Sequence, residues 1–263
     1  RWLARRRDGQ GLGGESEVRE DAEALILSGR CYRRESVPYK ALDSLVDGLS
    51  RWLLRLPPLE AARFLPRDFG ALARLFPVLR GVGEATVGRR TTVEIPDAPE
   101  LRRRGFVALR DLLGRLADDR TVVLAIDDLQ WGDLDSGHLL LDLLQPPSAP
   151  PLLLVASFRS DEADHSPLLR LLRERRPLGV EVLTTEVREL AAAEAEALAV
   201  ARLGLEGVDS AVAAKLLVRE SGGSPFLMEQ LAQQAATMDH VSASEGDDTL
   251  RLERVIALSL IHI

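Results

Sequence analysis

Two aspartates close an apolar run. Val122-Val123-Leu124-Ala125-Ile126 is followed directly by Asp127-Asp128. Buried parallel strands avoid charge, so a strand ending abruptly in carboxylates should place them at the C-terminal rim of its sheet, where ligands of open α/β folds bind. At such a rim Asp127 could hold Mg2+ through water, because magnesium dehydrates reluctantly and prefers carboxylate and phosphate oxygens. Asp128, one residue on, points elsewhere and could orient or polarise a water. The plainer alternative is a strand end meeting solvent, with Asp128 starting a turn. Asp133 reads as the N-cap of the next helix rather than a ligand.

Two further segments could carry chemistry. Ala156-Ser157-Phe158-Arg159 ends a second apolar run and brings an arginine to the same rim. A guanidinium there could contact a terminal phosphate; the alternative is a partner for Asp127 or Asp161. Ser221-Gly222-Gly223-Ser224-Pro225-Phe226 lies between two helical patterns. Its glycines allow close backbone approach and Pro225 can open the next helix, although a plain interhelix turn uses the same residues. Other chemistries are poorly served. The lone Cys31 excludes a disulfide framework and a cysteine zinc site, and the four histidines show no ligand spacing.

The elements that must position these residues follow from periodicity. Residues 24–29, 121–127, 152–158 and 180–187 read as buried strands, and alternation with helices over 133–144 and 166–175 predicts a parallel sheet covered on both faces. Apolar spacing predicts helices over 38–56, 59–64, 67–75 and 99–118. Residues 1–7 read as the end of a helix broken by Gly9–Gly14, and residues 80–98 as irregular. From residue 190 onward the pattern is helical, over 191–203, 209–220, 225–238 and 249–260.

Composition bounds the function. The 263 residues carry 34 basic and 41 acidic side chains, a net charge of −7. Such acidity disfavours unspecific binding to nucleic acid or an anionic membrane. No apolar run reaches the ~18 residues of a spanning helix. A reducing, cytoplasmic location is expected from the cysteine usage.

Taken in order, the segments resemble the AAA-type, STAND-class signal-transduction ATPases with an origin-recognition-like ATPase domain, found beside bacterial serine/threonine protein kinases and LuxR-type regulators. Asp127-Asp128-Leu129-Gln130-Trp131-Gly132-Asp133 looks like their Walker B region. Ser157-Phe158-Arg159 looks like sensor 1, and Gly222-Gly223-Ser224-Pro225-Phe226 like the Gly-x-Pro motif whose proline lies near the adenine. Gly29-Arg30-Cys31-Tyr32 with Ser36–Asp43 is similar to the segment after the second strand.

The resemblance implies an α/β, P-loop NTPase-like parallel sheet over 1–189, a helical lid over 190–238, and a linker with the start of another helical region over 239–263. The family's strand order is 5-1-4-3-2, and the four strands here would be numbers two to five. It implies ATP and Mg2+ as cofactors. Asp127 would hold the metal, Asp128 and Arg159 would act in hydrolysis, and Gly223 and Pro225 would contact nucleotide. Partners would be nucleotide, other domains of the polypeptide, and further protein partners or another copy. One departure matters: no Gly-x-x-x-x-Gly-Lys-Ser/Thr loop occurs. On family analogy Arg1–Arg7 is the tail of the P-loop helix, with the loop and first strand upstream, and 259–263 do not continue as the family does. A chain without that loop would bind nucleotide weakly and leave apolar sheet surface exposed. The competing function is a non-catalytic regulatory or protein-binding scaffold whose carboxylates are relics.

Overall fold

The computed structural model describes residues 17–21, 24–33, 38–87, 97–175, 180–203 and 208–239. The expected helices over 1–7 and 249–260 lie outside them, as do residues 259–263. The chain divides into two compact units, Arg1–Glu181 and Val182–Ile263.

The first unit holds a four-stranded sheet in the order β1-β2-β3-β4, with β1 Glu17–Asp21, β2 Ala24–Arg30, β3 Thr121–Asp127 and β4 Leu152–Ala156. The three strands β2, β3 and β4 are parallel, while β1 runs antiparallel to β2. Parallel neighbours need long crossovers. The β2–β3 connection holds helices α1 Lys40–Arg55, α2 Pro58–Phe64, α3 Phe69–Leu75, α4 Arg80–Val87 and α5 Ala98–Asp119. Helix α6 Leu134–Leu143 links β3 to β4, and α7 Pro167–Glu174 follows β4. This is the α/β, P-loop NTPase-like parallel sheet with flanking helices.

Register explains the core. Leu25 pairs with Val122, Leu27 with Leu124 and Gly29 with Ile126, so these residues share one face. The five apolar side chains on it are at most 2% exposed, whereas Ile26, Val123 and Ala125 on the opposite face are only half-buried. Helix α1 crosses the covered face closely: a Cβ on Gly29 would lie 2.9 Å from Ser44 Cβ. Leu42, Leu45, Leu49, Leu109, Leu112 and Leu116 complete the core. The expectation of strands buried on both faces is therefore met on one face only among the described residues.

Three other expectations are corrected. Residues 180–187 form no strand, and Leu183 and Val187 are 85% and 94% exposed. A strand needs a ladder neighbour, and in the expected order number five pairs with number one, which is not among the described strands. For the same reason β4 is not buried: Leu153 and Val155 are exposed, and β4 is an edge strand among the described residues. Residues 80–87 are helical, not irregular. Gly83 there answers to packing, since a Cβ would meet Phe69 Cε1 at 3.1 Å, and Val82 is fully buried. Strand β1 was not legible, because nothing in Glu17–Asp21 alternates clearly between apolar and polar residues.

The second unit contains α8 Ala192–Leu203, α9 Val208–Glu220 and α10 Pro225–Asp239, packed through Ala195, Ala199, Leu217, Met228 and Leu231.

Candidate functional site

Strands β3 and β4 end side by side, and the carboxylates meet the second strand end there. Asp127 is the last residue of β3, and its Oδ1 accepts a hydrogen bond from the Ser157 hydroxyl. The Asp128 N–H lies 3.1 Å from Asp127 Oδ1 and 3.3 Å from Ser157 Oγ. Backbone bonds from Ser157 N to Ile126 O and from Leu129 N to Ser157 O, both 2.9 Å, continue the pairing past the strands. The rim expected from the sequence is therefore one surface bearing Asp127, Asp128, Ser157 and the start of Arg159.

Asp128 occupies a left-handed backbone conformation, φ 54 and ψ 39. A non-glycine residue with positive φ is held there by its surroundings. The turn sends the chain into a short 3-10 turn over Leu129–Trp131 and leaves the Asp128 side chain only 13% exposed. Both of its oxygens are engaged. Oδ2 lies 2.6 Å from Arg30 Nε and 2.5 Å from Arg30 Nη2; Oδ1 accepts from Gln130 Nε2 at 3.0 Å. Arg30 Nε is also 3.7 Å from Asp127 Oδ2. The hydrogen bond to Asp128 raises the Arg30 pKa further above its ordinary value, so this cation stays charged.

Arg30 is the residue that sequence reasoning missed. It closes β2 and stands in register with Asp127. The sequence showed it only as part of a family-like segment; the strand pairing makes it the counter-ion of the acids. Gln130 was quoted within the Walker B-like segment but assigned no task. The residue is 4% exposed, and its amide bridges Asp128 to the Arg159 N–H, which donates to Gln130 Oε1 at 3.2 Å.

The Arg159 guanidinium takes a carboxylate outside the acid pair. It pairs with Asp161 at 3.1 Å in an exposed contact, which raises the pKa of the arginine and lowers that of the aspartate. The rim thus gathers the Arg159 backbone, while its side chain takes the Asp161 partner that the sequence left open.

Asp133 caps α6, accepting from Ser136 N at 2.9 Å, and also accepts from Tyr39 N and Lys40 N at the start of α1. Burial pushes its pKa up, but these hydrogen bonds outweigh it and hold the carboxyl below the ordinary aspartate range.

In the second unit, Gly222 and Gly223 have φ 58 and 78. Gly223 N bonds Val218 O at 3.1 Å and Gly222 N bonds Arg219 O at 3.2 Å, which closes α9 in the left-handed manner that glycine allows. Ser224 then precedes Pro225, the first residue of α10, and Ser224 O accepts from Met228 N at 2.9 Å. The segment is a compact stop and restart between helices.

The donors suit one kind of ion. Two carboxylates and a hydroxyl are hard oxygen groups, and among the described residues no group of three His, Cys, Asp or Glu side chains encloses a cation. An incomplete oxygen set fits Mg2+, which keeps waters and takes phosphate oxygens as remaining ligands. It does not fit a caged Ca2+ or Zn2+ site. No helix among the described residues is long and apolar enough to cross a membrane.

Comparison with known proteins gives three findings. The family profile described as AAA ATPase domain matches residues 15–155, which include β1 to β4 and the acid pair. No curated protein matches the chain. Two solved structures of mutant RuvB from Thermotoga maritima are similar to it. One shares 19% identity over 80% of this chain and 68% of that one at a TM-score of 0.41; the other shares 17% over 81% and 70% at 0.40.

Proposed function

The chain belongs to the AAA ATPase domain family, and from that premise we propose that it is the ATP-binding and hydrolysing module of a multidomain bacterial signalling protein, linked to a serine/threonine kinase or a LuxR-type regulator and acting in the cytoplasm. The observation that carries this reading is the rim itself, where the Ser157 hydroxyl on one strand end bonds Asp127 on the next.

When bound, Mg-ATP supplies the metal charge and the scissile phosphoanhydride. Asp127, one-third exposed and fixed by Ser157, is the residue that would hold the metal. Asp128 orients the attacking water once Arg30 leaves its Oδ2. Arg159 exchanges its exposed Asp161 partner for the terminal phosphate, a stronger charge-assisted acceptor. By the family resemblance, Gly223 and Pro225, in a helical lid over 190–238, would be the residues toward a nucleotide base, and slow turnover would switch the lid for other domains of the polypeptide or protein partners.

Arg30, which occupies the acids, favours a second reading: a regulatory scaffold with a degenerate site. D127N and D128N in the full-length protein separate the two. An ATPase switch loses Mg2+-dependent nucleotide affinity in D127N. In D128N it loses about 10²–10⁴-fold in hydrolysis with binding kept. Unchanged binding, hydrolysis and signalling output in both variants would leave the scaffold.

A further inference from the structure

Gln130 lies in the 3-10 turn that follows β3. It is buried, it follows the strained Asp128, and its two ends are spent on two different strand ends. The Nε2 group donates to Asp128 Oδ1, the oxygen that Arg30 leaves open; the Oε1 atom accepts from the backbone N–H of Arg159. Only a side chain with a donor and an acceptor at the same reach can do both. A carboxylate in its place would keep the Arg159 bond and oppose Asp128. An apolar chain of the same length would lose both bonds and strand a largely buried carboxylate oxygen.

The surroundings leave the amide as the adjustable part of the link. Leu129 N is fixed to Ser157 O, and a Cβ on Gly132 would meet Leu168 Cδ1 at 2.5 Å, so the backbone on either side of Gln130 is pinned to β4 and α7. Arg159, by contrast, begins the segment leading into the Ser160–Glu162 turn, and its side chain is 62% exposed.

We propose that Gln130 is a positioning residue that transmits the place of the Arg159 backbone to the Asp128 carboxylate, so that a terminal phosphate drawing on Arg159 re-aims the acid. The inference rests on the nucleotide reading above and adds how its two halves communicate.

The test uses the full-length protein with Mg-ATP, and two variants. Q130M removes both hydrogen bonds at constant length. Q130E keeps the acceptor for Arg159 N–H and loses the donor to Asp128. In Q130M we expect kcat to fall about tenfold or more with KM within about threefold. Exchange of the Arg159 amide proton in nucleotide-free protein should rise about tenfold. In Q130E kcat falls likewise while that amide stays protected, a separation that loss of packing would not produce. In an R159A background, Q130M should lower kcat by less than about twofold further, because the link then has nothing to report. Wild-type kcat in either variant, or losses that multiply independently with R159A, overturns the proposal. Should Q130M fail to fold, Q130E decides it alone. If D127N and D128N also leave nucleotide binding and hydrolysis intact, the nucleotide reading fails. If they abolish them while the Gln130 variants are silent, only the coupling fails.

Discussion

Asp128 and Asp133 stand on either side of one short turn, yet they are held in opposite ways. Asp133 is satisfied chiefly by backbone donors that cannot leave, the Ser136 N–H at the start of α6 and the Tyr39 and Lys40 N–H at the start of α1, with the Ser136 hydroxyl beside them. It joins two helix N-termini, where unpaired N–H groups and the macrodipole both favour an anion. Asp128 is satisfied by side chains, the Arg30 guanidinium and the Gln130 amide. A side-chain partner can rotate away at the cost of its own bonds, whereas a helix N-terminus can withdraw only if the helix unfolds. The contrast teaches which acid is architecture and which is available for exchange with a ligand.

The largest effect should come from D128N, with hydrolysis falling about 10²–10⁴-fold and unfolding free energy falling by about 1–2 kcal/mol, because the amide offers one acceptor where the carboxylate offered two. Turnover and urea unfolding on one preparation check both halves; a strongly destabilised D128N would erase the distinction. D133A should do the reverse. Losing the caps of two helices costs about 2–4 kcal/mol in urea unfolding, while turnover per folded molecule changes little.

The pairing of Asp128 can be sharpened by a double-mutant cycle. R30M with D128N should show a coupling of about 1–2 kcal/mol, because the carboxylate is largely withdrawn from water. The exposed Arg159–Asp161 pair, treated in the same way, should show less than about 0.5 kcal/mol. Equal couplings would mean that burial does not separate the two arginines.

The smallest effect concerns pH. The Asp133 pKa is depressed in the folded state, so its stabilisation is complete above the unfolded value of about 3.9 and is lost as pH falls through the lower folded value. The wild type should lose stability over that acid range, and D133N should flatten the slope there. An unchanged slope in D133N would remove Asp133 from the acid response.

The strand ends were legible because burying charge inside a parallel sheet is so unfavourable that an apolar run stopping at Asp127-Asp128 marks its own rim. The helices around Leu42–Leu53 and Leu109–Leu116 were legible for the complementary reason, a stripe that must face a core. Residues 180–187 show the limit. Their apolar character suggests a strand, but strandedness belongs to a pair, and no ladder among the described residues includes them. Gly81 and Gly83 mark the same limit for helices, since they read as breakers while Gly83 makes room for Phe69.

Residue types and their order were enough to set the α/β alternation and to mark Asp127 and Asp128 as carboxylates at a strand end, because both follow from local periodicity and the cost of burying charge. Tertiary structure alone decided the partners. The β2–β3 register sets Arg30 against the acids, and the left-handed turn at Asp128 folds Gln130 back to the Arg159 N–H. These are contacts between residues about 30 to 100 positions apart in sequence, and no local propensity encodes the distance between them.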